Sequence, residues 1–302
     1  MPRNIQLLII DPQRSFCQPN VPADRQQQDH DGELFVPGAN LDMERLAKMI
    51  SLHGRKLSDI SVTLDSHQSN HIAHPAWFRT ASGKPVLPFT IVSLEGTKIV
   101  GQKINLSDGS LGPKEELVCA FPGQHGYTVD YLQKLVSAKR YGHTIWPPHC
   151  LIGTRGAMVY DPLFEALDGW CLDNGATIGF VTKGSNPRCE HFSAVMAEVP
   201  DPTDPGTQIN TEFIKLLMEC DELLLSGEAL SHCLANTVRD IANCFASGGA
   251  ASLGTQDEFI KKCVLLSDAT SSVPGFDAVG QAFVNEMQAR GMRVSTTVDY
   301  FA

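Results

Sequence analysis

The sequence predicts an α/β protein built as a single domain on one central, mostly parallel sheet with helices on both faces. Three observations predict it. Short apolar runs alternate along the chain with segments whose apolar residues recur at helical spacing. Alternation of this kind gives parallel strands joined by crossover helices. At four separate places the predicted strand ends on chemically capable residues, and the carboxyl ends of the strands are where an open parallel sheet holds its ligands.

The elements follow in chain order. "IQLLIID" (5–11) reads as a first buried strand. "LDMERLAKMISLHG" (41–54) reads as a helix, with Gly54 placed as its C-terminal stop. "DISVTLD" (59–65) and "ATIGFVTKG" (176–184) are strands. "INTEFIKLLMEC" (209–220) is a helix that leads into the strand "DELLLSG" (221–227). "CVLLSDAT" (263–270) is a strand, "DAVGQAFVNEMQARG" (277–291) a helix stopped by Gly291, and "RVSTTVDYF" (293–301) a last strand. Two stretches break the rhythm. Residues 17–33 are polar and turn-rich and read as a surface loop. Residues from about 75 to 142 are punctuated by Pro and Gly. They read as an insertion within one domain spanning 1–302, too interrupted to hold a core of its own.

Composition narrows the function. The 302 residues carry a formal net charge of −10, which argues against a nucleic-acid partner. No run of 18 apolar residues is present, so no membrane span is expected. The opening "MPRNIQLLIIDPQ" turns polar too soon for a signal peptide, which points to the cytoplasm. The nine cysteines are scattered and form no C-x-x-C pair, so neither a zinc knuckle nor a disulfide framework is expected.

The strand ends carry Asp11, Asp65 with His67, Lys183, and the turn before Cys233. "DSHQSNHIAHP" (65–75) sets a carboxylate among three imidazoles, a donor set suited to zinc, iron or manganese. Asp65 and His67 are two apart, so an extended backbone points them the same way. His71 or His74 can return from the loop beyond, and His149 stands on a proline-stiffened turn. Cys233 opens a helical pattern. The helix dipole and free N–H groups there favour a thiolate, and a lysine neighbour would lower the thiol pKa further. The same N–H groups could hold an oxyanion.

Taken together these residues resemble the nicotinamidase/pyrazinamidase branch of the isochorismatase-like cysteine hydrolases. "LLIIDPQRSFC" (7–17) resembles the family's first strand with its catalytic Asp, here Asp11, and a pocket aromatic, here Phe16. "DSHQSNH" (65–71) resembles the D-x-H-x-x-x-H metal element and implies Asp65, His67 and His71 as ligands, His71 being preferred to His74 by that spacing. "WPPHCLIGT" (146–154) implies Trp146 on the substrate and His149 on the metal. "VTKG" (181–184) supplies the catalytic lysine, Lys183, and "GEALSHCLANTVRDIA" (227–242) the nucleophile turn, with Cys233 as nucleophile and the N–H groups of Ala229 and Cys233 as oxyanion hole. The resemblance covers most of the chain except 17–33 and roughly 75–142. It implies the isochorismatase-like hydrolase fold and a cis peptide at Glu228–Ala229.

The resemblance also implies an enzyme that hydrolyses a small heteroaromatic amide such as nicotinamide through a thioester. One divalent metal is expected, zinc first, with iron or manganese as alternatives. Assembly into a homo-oligomer is compatible with the sequence. Glu228 departs from the family, which usually has an apolar residue there, and Ser66 stands where a bulky aromatic is common. The insertion is expected to set substrate choice as a lid or rim. Three other readings remain: an amidase of the same fold with another substrate, a metal-dependent hydrolase in which Cys233 only packs, and a non-catalytic binding protein using the insertion.

Overall fold

The computed structural model describes residues 3–22, 24, 28–139 and 142–302. The central sheet is made of β1 (Ile5–Ile10), β2 (Asp59–Asp65), β8 (Gly179–Lys183), β9 (Glu222–Gly227), β10 (Cys263–Leu266) and β11 (Arg293–Ser295), numbered with the intervening strands given below. All its pairings are parallel, in the order β11-β10-β9-β1-β2-β8. Every residue of β1 and β9 is buried, as the unbroken apolar runs require of strands covered on both faces. Helices flank the sheet. α2 (Ala39–His53) packs on α4 (Asp161–Asn174), and α6 (Ala235–Ala246) on α7 (Gln256–Lys262). Leu8, Met43, Leu163, Val238 and Phe283 belong to one continuous core. Among the described residues no helix is long and apolar enough to cross a membrane.

Strand order places the site. From β1 the chain adds strands to one side (β2, β8) and later to the other (β9, β10, β11). The crevice at such a reversal, beyond the strands' carboxyl ends, is the ligand position of open parallel sheets. Asp11 lies just past β1, and Cys233 just past β9. Register completes the placement: Asp65 pairs directly with Lys183, and Ile10 with Gly227.

Three local expectations need correcting. Gly54 does not stop α2 in a left-handed conformation; its φ is −54° and the chain runs on into a 3-10 turn. Glycine is needed there because a Cβ would meet the Trp170 ring at 2.7 Å. The last strand is only three residues long, and residues 296–301 turn over the end of the sheet. The strand expected over 176–184 begins only at Gly179.

The segment 75–142 differs more. It folds into β3 (Phe78–Thr80), β4 (Thr90–Glu95), β5 (Lys98–Lys103) and β6 (Glu115–Cys119), joined by β7 (His143–Ile145) in an antiparallel sheet of order β3-β6-β5-β4-β7. Helix α3 (His125–Ser137) packs on it, and Trp77, Phe78, Ile99, Leu117, Tyr131 and Leu132 share a second apolar cluster. The segment therefore does hold a core of its own. Residues 140 and 141 of it, like 23 and 25–27 of the predicted surface loop, lie outside the described residues.

Candidate active site

Four buried groups meet at the strand ends. The Lys183 ammonium lies 2.8 Å from Asp11 Oδ2 and 3.0 Å from Asp65 Oδ1. It also donates to the His191 carbonyl at 3.0 Å and approaches Cys233 Sγ at 3.7 Å. Asp11 has φ 42°, in the left-handed region that Asp tolerates better than most residues. Thr63 holds it there: its hydroxyl donates to Asp11 Oδ1 at 2.6 Å and accepts from the Asp11 N–H at 3.0 Å. Cys233 sits in a π-helical turn, Leu230–Leu234, that runs into α6. The Glu228–Ala229 peptide before it is cis. Gly227 must be glycine, since φ is 106° and a Cβ would lie 2.0 Å from the Ile10 carbonyl oxygen.

The electrostatics follow from burial and from two carboxylates sharing one lysine. Burial alone would lower the Lys183 ammonium, but Asp11 and Asp65 hold it well above its ordinary value. Burial would raise Asp65, but His67 and Lys183 hold it well below the usual carboxylate range. Burial raises Asp11 despite Lys183. Burial also pushes the Cys233 thiol well up; Lys183 opposes this, while Asp11 and Asp65 add to it. The lowered thiol pKa expected from the sequence is thus corrected. A thiolate would be a third anion beside one cation, so Cys233 rests as a thiol that donates toward Asp11.

The imidazoles lie next to this cluster. His67 Nδ1–H donates to the Gly184 carbonyl at 3.1 Å and its Nε2–H to Asp65 Oδ2 at 2.9 Å; burial would lower this imidazole, but Asp65 raises it. His149 Nδ1–H donates to the Pro147 carbonyl at 2.8 Å, leaving Nε2 at 3.4 Å from the same oxygen. Backbone acceptors on Nδ1 are how metal-ligating imidazoles are oriented. His74 is fully buried, yet neither of its ring nitrogens has a partner in hydrogen-bonding geometry; the Gln68 carbonyl acts on it only weakly. Its ligand atom and those of His67 and His149 all lie within 4.8 Å of one another. His71 does not join them. Its Nε2–H donates to the Cys189 carbonyl at 3.0 Å and its Nδ1 accepts the Ala73 N–H at 3.2 Å. The preference for His71 is corrected on this ground: both its nitrogens are already used, whereas His74 is an orphaned polar group facing the other two. Burial, then His67 and His149, hold His74 well below its ordinary value, so it is neutral, the form that binds a metal.

A narrow cavity of about 30 Å³ opens onto these groups. Phe16 and Trp146 line it as the resemblance implied, together with Ala229, Cys233, Asp65 and His149. A far larger cleft, about 900 Å³, lies at the amino ends of the strands beside Arg3, Arg55 and Arg293. Size does not choose between them: the buried nucleophile, lysine, carboxylates and imidazoles are all at the carboxyl ends. Sequence reasoning missed Glu190, Phe192 and His232, which also line the cavity. His232 adjoins Cys233 and could have been found by adjacency; Glu190 and Phe192 follow β8 in a loop without periodicity. Gln13 was missed too. Its side-chain amide donates to the Asp65 carbonyl and accepts from the Asp65 N–H, both at 2.7 Å, tying the end of β2 to the chain beyond β1.

Glu228 explains its own departure. It is fully buried, and burial with the neighbouring Asp42 carboxylate raises its carboxyl well above the ordinary range. It is therefore a neutral acid, its proton shared with Asp42 and its Oε2 accepting the Ser271 N–H at 3.3 Å. A folded-state pKa above the unfolded one means that the folded chain keeps a proton which the unfolded chain loses. The stabilisation is complete below the ordinary glutamate range and is lost as pH rises through the folded value. Glu228→Gln has no proton to lose. It is expected to equal the parent in stability near pH 4 and to exceed it at pH 8; parallel melting profiles over that range would refute this.

Neither a protein-family model nor a curated protein sequence matches the chain. Its likeness to solved structures lies in the fold. The yeast nicotinamidase bound to the inhibitor nicotinaldehyde aligns with a TM-score of 0.57 at 18% identity, over 97% of this chain and 99% of that one. A nicotinamidase/pyrazinamidase of Acinetobacter baumanii aligns with a TM-score of 0.57 at 19% identity, over 99% of both chains. PnC1 from L. infantum in complex with nicotinate aligns with a TM-score of 0.53 at 17% identity, over 98% of this chain and 94% of that one. The architecture is thus that of these nicotinamidase structures, an α/β fold on a central parallel sheet.

Proposed function

We propose that the protein is a cysteine amidohydrolase that converts a small heteroaromatic amide, of the nicotinamide or pyrazinamide kind, to its acid and ammonia. The observation that carries this is the meeting of Asp11, Lys183 and Cys233 in one buried cluster, 2.8 Å and 3.7 Å from the lysine nitrogen. Asp11 takes the thiol proton as Sγ attacks the amide carbon. Its raised pKa suits a base that must later return a proton. Lys183 balances the charge as the thiolate forms. The N–H groups of Ala229 and Cys233 hold the oxyanion. The C–N bond breaks, ammonia leaves with the proton from Asp11, and a thioester remains on Cys233. Water then frees the acid. Phe16, Trp146 and Phe192 present aromatic walls to a flat ring.

Asp65, His67, His74 and His149 would hold one divalent metal, and the orphaned nitrogens of His74 support that fit. Three imidazoles with a carboxylate suit zinc best. When bound, the metal supplies a Lewis-acidic point that orients the ring end of the substrate. Ammonia release from nicotinamide, pyrazinamide and a panel of aliphatic amides tests the activity; hydrolysis of none of them would overturn it. Elemental analysis tests the ligand set. The purified protein is expected to carry about one equivalent of metal, retained in His71→Ala and lost in His74→Ala; the reverse would restore His71 as the ligand.

A further inference from the structure

Three buried carboxylates, Asp11, Asp65 and Glu190, lie at the site, and they are not equally engaged. Asp11 has one oxygen on the Thr63 hydroxyl at 2.6 Å and the other 2.8 Å from Lys183. Asp65 has one oxygen 3.0 Å from Lys183 and the other shared by His67 and His149. Glu190 uses only Oε1, which accepts the N–H of His191 at 3.0 Å. Among the described residues its Oε2 has no hydrogen-bond partner, and no cation pairs with the carboxylate. Yet Glu190 is 95% buried and lines the cavity together with Cys233, Asp65 and His149. Its backbone is held firmly: its N–H donates to the Tyr131 hydroxyl at 3.1 Å, and its carbonyl accepts from the Glu198 N–H at 2.8 Å. Tyr131 belongs to α3, so the inserted unit buttresses this one carboxylate.

We propose that Glu190 is the general base of the second half-reaction, the hydrolysis of the acyl-thioester. This rests on the cysteine amidase reading above. Glu190 and Cys233 line the same cavity, so a water molecule that enters it to reach the thioester also meets the Glu190 carboxylate. Once ammonia has left, Asp11 and Asp65 are again both paired with Lys183, whereas Glu190 Oε2 has no cation beside it and is open to accept a water proton. In the step, Glu190 Oε2 takes one proton from water and the water oxygen bonds to the acyl carbon. The C–S bond then breaks with its electron pair on Sγ. The proton held by Glu190 ends on the thiolate, so the acid leaves and the enzyme returns to its starting state.

The test is the holoenzyme carrying Glu190→Gln, read by rapid-quench ammonia release and intact mass on the amide that the wild type hydrolyses best. The expected result is a burst of one ammonia per site, then turnover about 100-fold slower than wild type, with the acyl mass on Cys233. Hydroxylamine, which attacks a thioester without a base, is expected to restore turnover as the hydroxamate. An unchanged steady-state rate, or both phases slowed equally with no acyl species, would overturn the role while leaving the amidase reading intact. No ammonia from either protein with any amide would overturn both. Should Glu190→Gln not fold, Glu190→Asp, whose shorter side chain withdraws the carboxylate from the cavity, is read in the same way.

Discussion

Cys233→Ala is expected to leave a folded protein that releases no measurable ammonia, with turnover down by about 10⁴-fold or more. The size follows from the role proposed for the sulfur: without it no thioester can form, and water must attack the amide unaided. The fold should survive because the thiol is a small group in a turn whose geometry is set by backbone bonds, such as Leu230 N–H to the Ser271 carbonyl at 2.8 Å. The Ala235–Ala246 helix keeps its buried face, Val238 and Ile241, unaltered. The melting temperature and metal content should match the wild type. Near-normal turnover in Cys233→Ala would mean that the sulfur only packs and that the nucleophile is a bound water.

Lys183→Met is expected to lose both activity and stability, the latter by about 3–5 kcal/mol. Lys183 is 2% exposed and stands between two carboxylates that are themselves 0% and 4% exposed. A methionine fills much of the same volume but leaves Asp11 and Asp65 facing each other across an apolar side chain. Burial raises Asp11 even with the lysine present, so without it the carboxyl takes up a proton more readily. The loss of stability should therefore shrink as pH falls and Asp11 becomes neutral, and grow toward alkaline pH. Chemical denaturation at pH 5 and pH 8 checks this. Equal losses at both pH values would show that packing, rather than the unpaired carboxylates, sets the cost.

Much of the central sheet was legible because its signals are local. Ile5–Ile10 and Glu222–Gly227 are unbroken apolar runs, and the residues that follow them are the reactive ones. The inserted unit was illegible for the opposite reason. Strands such as "TIVSLE" and "KIVGQK" are half exposed and mix charges with apolar residues, so Pro and Gly dominated the reading. Helix α4 was unread as well, because "DPLFEALDGWCLDN" carries Asp and Gly in its interior and its burial depends on α2.

The sequence by itself determined the α/β class, the strand ends at Asp11, Asp65 and Lys183, and the turn that carries Cys233. Each of these depends on periodicity within a few residues. Only the tertiary structure showed that both nitrogens of His71 have partners while those of His74 have none, brought out Glu190 as a carboxylate with an uncommitted oxygen, and placed the Cys233 thiol beside two carboxylates that raise its pKa. A ring nitrogen is free or used according to a carbonyl at Cys189, 118 residues away from His71, and a thiol is raised or lowered according to two carboxylates and a lysine on three different strand ends. Such partners meet only when register and strand order bring them together, and no local pattern in the chain encodes that meeting.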